Sequence, residues 1–202
     1  MPAYMLLDHT MHQRVSAPTT KVAVTAVFTA LSLGTNYLMI DVPNVKLMDS
    51  LVFIAAFLFG LKVGVATGTS IWLVYGFVNP NGQDTLLLLS FLIVGESFYS
   101  IAGALFRRTS AAAQLLTNGD YRHATIVFGG LGLVTTFAYD ALTNFGDKLQ
   151  FTNSVYQAFL IGMITGVPFA LLHELSNIVF FATVVPGALY ATRRFRLGVV
   201  RN

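Results

Sequence analysis

Glu96, Asp140, Asn144, His173, Glu174 and Asn177 lie inside stretches that are otherwise apolar. Hydrocarbon penalises such groups, so an ionisable residue within a membrane segment marks a functional site by default. His173 and Asn177 stand four apart and share one helix face. Asn144 follows Asp140 at the same spacing. These types recognise partners by hydrogen bond and charge. Two uses fit them: a polar pocket fed by three helices, or interhelical hydrogen bonds, such as His173 to Asp140, that hold the bundle together.

Catalysis has less behind it. His173-Glu174-Leu175-Ser176-Asn177 misses the zinc-protease pattern H-E-x-x-H by one residue, and asparagine is a poor zinc ligand. A zinc site needs three or four converging ligands, whereas His9, His12 and His123 fall on the opposite side in the topology below. No serine–histidine dyad stands out, and no glycine loop ends in Lys-Ser or Lys-Thr. The chain has no cysteine, which removes disulfides, thiolate metal sites and cysteine nucleophiles. The sequence therefore predicts no catalytic residue, no metal and no cofactor, and ATP hydrolysis would have to come from another chain.

The elements that position these residues are membrane helices. Of 202 residues, 55% are hydrophobic and 10% charged, where a soluble domain carries about 25% charged residues. The net charge of +3 is too small to argue for nucleic acid. A span needs about 20 residues. The apolar runs predict spans at Val22–Ile40, Leu47–Gly60, Val63–Val78, Leu86–Phe106 and Ala124–Phe145. Val155–Tyr190 is too long for one straight span. It reads as a short helix or cap at Val155–Thr165 followed by a sixth span at Val167–Tyr190, with a single kinked helix as the alternative. Residues 1–21 form a tail without the apolar core of a signal peptide. Residues 22–190 form the membrane domain, and residues 191–202 a basic tail.

Between the second and third spans, Lys62 interrupts an apolar run. A lysine at the bilayer centre costs roughly 2.5–3.5 kcal/mol, so a helical hairpin with Lys62 at its turn is expected. Gly60, Gly64 and Gly68 share one face, which suits close helix packing. With six spans both termini share a side. That side collects Arg14, Lys21, Lys62, Arg107, Arg108, Arg122, Arg193, Arg194, Arg196 and Arg201, while Lys46 and Lys148 remain opposite. The positive-inside rule makes the ten-residue side cytoplasmic. Asp41, Asp49, Asp84 and Asp147 are then placed in outer loops, where they either attract a cation or solvate loop ends.

Several pieces, in this order, resemble the S components of energy-coupling factor (ECF) transporters: Val42-Pro43-Asn44-Val45, the Phe57-Leu58-Phe59-Gly60 turn with Val63-Gly64 and Gly68, Trp72 to Gly76, Tyr139 to Asn144, and His173 to Asn177. The resemblance runs from about Val22 to Tyr190. It implies a small all-α membrane protein of six helices in the plasma membrane. Such a protein binds a vitamin or related micronutrient on the outer face and topples in the bilayer. It is energised by a coupling transmembrane subunit and two ATPase subunits.

In that family an alanine-x-x-x-alanine motif on the first helix docks the coupling subunit, and Ala26 and Ala30 match it. Small residues four apart give a flat helix surface. The expected substrate-binding residues are Glu96, Asp140, Asn144, His173 and Asn177, with Trp72 and Tyr75 to stack on a ring. Tyr99 and Tyr139 are further stacking candidates. The acids lean toward a ligand with a cationic part, thiamine-like. A stand-alone secondary transporter or channel is the alternative; no inverted repeat is visible in support of it. A membrane enzyme or assembly factor is a third class.

Overall fold

The computed structural model describes residues 18–80 and 82–199. Seven helices run through them: α1 (Pro18–Leu38), α2 (Met48–Phe59), α3 (Leu61–Val78), α4 (Leu86–Phe106), α5 (Ser110–Asn118), α6 (Tyr121–Leu149) and α7 (Val155–Val199). There is no strand among the described residues. In hydrocarbon every backbone group needs an internal partner, and a helix supplies one within a single segment. Four helices are long and apolar enough to cross a membrane: α3, α4, α6 and the Val155–Thr192 part of α7. The chain is a helical membrane protein. α1 has 21 residues but is not among those four, and α2 is a shorter apolar helix of 12 residues.

The hairpin expected around Lys62 is present. Gly60 sits between α2 and α3 at φ 97°, a backbone region that disfavours side chains. Lys62 is exposed beside it. The glycine face does pack helices: a Cβ on Gly64 would lie 2.5 Å from Ala56 Cβ, and one on Gly68 would lie 2.6 Å from Glu96 Cγ.

α2 is the centre of the bundle. Residues 48–57 are buried, which is ten of its twelve. Phe53 packs edge-on against Phe181 and Phe128, at centroid distances of 5.2 and 6.0 Å. At one end of the bundle lie the segments 39–47, 79–80, 82–85 and 150–154, tied by Tyr37 to Val78, Asn44 to Phe169 and Thr85 to Gln150. We call this the loop end. At the other, Arg107 donates to the Leu58 carbonyl and Tyr190 to the Leu115 carbonyl.

The last helix corrects one expectation. α7 is continuous from Val155 to Val199, with Pro168 and Pro186 inside it. There is no separate cap at 155–165, and residues 191–199 prolong the helix. Proline and glycine are tolerated within membrane helices because neighbours satisfy the freed backbone groups. A second addition is α5, a short helix within the polar segment 107–123. It is capped by Thr109, whose hydroxyl accepts from the Ala112 amide, and ends at the left-handed Gly119. Arg14, His9, His12, Asn81, Arg201 and most of the amino-terminal tail lie outside the described residues.

Candidate functional site

Three helices do bring polar side chains together, and a fourth joins them. His173 on α7 lies between two carboxylates. Its Nδ1 is 2.8 Å from Asp140 Oδ1 on α6, and its Nε2 is 2.7 Å from Asp49 Oδ2 on α2. Each of these contacts needs a proton between nitrogen and oxygen, so the trio holds one on each line. One turn along α7, Asn177 Nδ2 donates to the same Asp49 oxygen at 2.7 Å and to Thr136 Oγ1 at 2.9 Å. The Tyr99 hydroxyl from α4 donates to Thr136 Oγ1 at 3.1 Å. The Tyr139 ring stands edge-on to His173 at 5.5 Å. All of these residues are buried.

Asp49 corrects its placement among the loop acids. It sits in the first turn of α2 and is fully buried, shared by His173 and Asn177. The signal was available, because Asp49 falls inside the apolar run Leu47–Gly60, where the hydrocarbon penalty applies as it does to Glu96. The other three acids differ from it. Asp41 is exposed, Asp147 pairs with Lys148 at 2.6 Å, and Asp84 is half-buried at the loop end.

A cavity of about 280 Å³ opens at the loop end. Asn36, Lys46, Trp72, Tyr75, Asp84 and Phe169 contribute to its walls. Trp72 and Tyr75 sit three apart on α3, rings T-shaped at 5.9 Å, and Tyr37 from α1 adds a third ring 5.7 Å from Tyr75. Lys46 Nζ lies over both α3 rings, 4.8 Å from the Trp72 centroid and 5.6 Å from that of Tyr75. Asp84 is fixed from below by its amide, which donates to the Gly76 carbonyl at 2.9 Å. Burial lifts the Asp84 carboxyl above its usual range, the nearby Lys46 ammonium opposes this, and Asp147 adds to it.

The expected site residues therefore divide. Trp72 and Tyr75 line the cavity. Asp140, His173 and Asn177 form the buried network and are not part of the cavity wall. Glu96 lies buried behind the cavity wall, where its Oε2 accepts the Trp72 indole N–H at 3.0 Å. Asn144 is drawn into neither. It is half-buried at the α6–α7 crossing, against Gly162 and Gly166. Tyr99 and Tyr139 pack within the network and do not line the cavity.

Lys46 and Asn36 were not among the expected site residues, and Asp84 was expected only as one of four loop acids that either attract a cation or solvate loop ends. Lys46 and Asp84 carry a faint signal as charges in short loops next to Pro43 and the Asn79-Pro80 turn. Asn36 is a buried amide near the end of α1, whose Nδ2 donates to Met48 Sδ at 2.9 Å.

Ala26 and Ala30 lie elsewhere, exposed on α1. They line a groove of about 570 Å³ between α1 and α3, with Thr25, Lys62 and Ala66 on its walls. No family model matches this chain, and no match was found among curated proteins or solved structures.

Proposed function

We infer that the chain is a membrane-embedded binding subunit that captures a small solute at its loop end. It is the S component of an ECF-type importer for a vitamin or related micronutrient, and not an enzyme. The observation that carries this reading is the cavity in which the Trp72, Tyr75 and Phe169 rings, a lysine and a half-buried carboxylate converge from two helices and two loops. Small-molecule sites likewise set convergent polar groups against aromatic and apolar side chains, and this cavity is rich in the polar ones: Asn36, Asn44, Lys46, Asn79 and Asp84 all line it.

In this reading six helices cross the plasma membrane and α5 lies along its surface. α2, about 18 Å long at 1.5 Å per residue, crosses wrapped in protein rather than lipid. The end bearing Lys62, Arg107, Arg108 and Arg122 faces the cytoplasm with both termini, and the cavity faces out. The small-residue groove on α1 is the docking surface for a coupling transmembrane subunit, which two ATPase subunits drive.

Affinity purification from the native membrane tests this directly. A capture subunit brings down a coupling protein and two ATPases, and native mass spectrometry of the detergent-purified chain shows a bound metabolite. A chain that purifies alone under conditions that preserve other membrane complexes is not such a subunit. One observation favours a second reading, a stand-alone proton-coupled carrier: the protonated line Asp49–His173–Asp140 lies within the helices. Intramembrane acid–histidine chains serve proton relays in pumps and transporters.

A further inference from the structure

The loop-end cavity already contains a cation, and it is the chain's own. We propose that the Trp72–Tyr75 rings and Asp84 form a site for an organic cation, and that Lys46 is a tethered occupant which the ligand displaces. The ligand class is an amine, a quaternary ammonium or a positively charged heteroaromatic ring. The proposal rests on the reading that this cavity is the capture site, and it adds which side chains would hold the ligand's positive charge and what they hold in its absence.

Apart from Lys46, the aromatic and charged side chains on the cavity wall favour positive charge. An aromatic face attracts a cation through its quadrupole, tryptophan most strongly. Trp72 and Tyr75 present two such faces at right angles. The Trp72 ring is held in place by its bond to Glu96. Among the described residues Asp84 is the one acidic side chain on the cavity wall. Its Oδ2 is buried and has no protein hydrogen-bond partner among the described residues. A ligand ammonium or N–H can give it one.

Lys46 alone runs against this pattern, and it is the mobile member by chemistry: a long stem on the 39–47 loop, with no ion pair within 4.0 Å among the described residues. With Lys46 in place, Trp72 and Tyr75 are only 2% and 5% exposed. Its ammonium marks where a ligand's positive group would sit. Were Lys46 instead the anchor for an anionic ligand, its charge would stand free of the rings, and the buried Asp84 oxygen would repel the anion.

Trp72 is the chain's single tryptophan, so intrinsic fluorescence of the purified full chain reads this site alone. The probes are choline, its neutral isostere 3,3-dimethylbutan-1-ol, and benzoate. Choline is expected to give a saturable change that the isostere and benzoate do not. Lys46→Ala should tighten choline binding by roughly three- to thirtyfold, the range of a cation–π contact no longer contested. Choline has no N–H to give Asp84, so Asp84→Asn should weaken choline binding through the lost charge attraction, by about tenfold.

The proposal is overturned if no probe saturates in either the wild type or Lys46→Ala, or if the isostere matches choline. It is equally overturned if benzoate saturates and Lys46→Ala abolishes that response, since the lysine would then be an anion anchor. Choline binding by a chain that recruits no coupling protein would retain the cation site and remove the importer reading. Recruitment without a choline response would do the reverse.

Discussion

His173 has a carboxylate oxygen on each ring nitrogen, and Asp49 Oδ2 serves both His173 and Asn177. Removing one partner of a buried ionic pair typically costs about 3–5 kcal/mol because the other is left unsatisfied. Asp49→Ala strands two donors and is expected to lower thermal stability in detergent the most. Asp140→Ala should come next, and Asp140→Asn, which keeps an acceptor, should be the mildest. Because these residues lie beneath the cavity, the choline response of Asp140→Asn should stay close to wild type. Asp84 belongs to the cavity itself. Its carboxyl takes up a proton above the ordinary 3.8, through burial first and Asp147 second, against the pull of Lys46. A cation needs the ionised form, so choline affinity should fall as pH drops toward that raised value. In Asp84→Asn it should be weak and flat with pH. A pH-independent response in the wild type would mean that Asp84 does not face the ligand. At this scale Asp140, His173 and Asn177 were legible in the sequence, since hydrocarbon makes a charge or amide inside a span conspicuous. Asp49, the acid that joins them, sits at the start of its apolar run and reads as a loop acid. The cavity was not legible. Lys46 and Asp84 sit in loops, where a charge is ordinary and only three-dimensional proximity to Trp72 makes it meaningful.

The α2–α3 hairpin could be read directly, because Lys62 and Gly60 interrupt an apolar run at the one place where a turn relieves both. α7 could not. Gly162, Gly166 and Pro168 look like breaks in sequence, yet the two glycines are where α6 comes closest. A Cβ on Gly162 would lie 2.5 Å from the Asn144 carbonyl oxygen. That contact is with backbone and cannot rotate away, so Gly162→Ala should force the helices apart and destabilise the protein by about 1–3 kcal/mol. Gly130→Ala on α6, where a Cβ meets nothing within 4 Å, is the matched control and should be neutral or slightly stabilising. Thermal unfolding of the two variants side by side checks this. On α1, replacing Ala26 and Ala30 by leucine should fill the groove and abolish recovery of a coupling subunit in pull-downs. Choline binding at the far end of the helix should survive. Normal assembly in the double variant would remove α1 as the docking surface.

The whole molecule's orientation was argued from charge: ten basic residues to one side and two to the other. Such an asymmetry is visible in sequence because the rule counts residues and needs no contacts. The chain lacks cysteine, so single introduced thiols report cleanly on sidedness. Asn153 and Thr117 are both exposed, at opposite ends of the bundle. Asn153→Cys should react with an impermeant thiol reagent in intact cells, and Thr117→Cys only after lysis. The reverse pattern would invert the topology. How many helices cross was less legible, because α1 and α2 depend on the rest of the bundle. α1 is less apolar than a lone span, and α2 is short but almost wholly sheathed by its neighbours.

The continuity of α7 has a consequence for the lipid. The exposed large apolar side chains of α7 run from Val155 to Val179, about 37 Å at 1.5 Å per residue, against a hydrocarbon thickness of about 30 Å. On the α3 side, where Leu73, Val74 and Phe77 are exposed, the span is about 27 Å. The protein thus shows the membrane a perimeter of uneven height, close to matched on one flank and several ångströms taller on the other. Lipids beside α6 and α7 must stretch, or the molecule must lean, and mismatch costs a fraction of a kcal/mol per ångström. The acyl-chain length of the surrounding bilayer therefore acts on this protein as a mechanical load, setting its resting tilt before any partner binds.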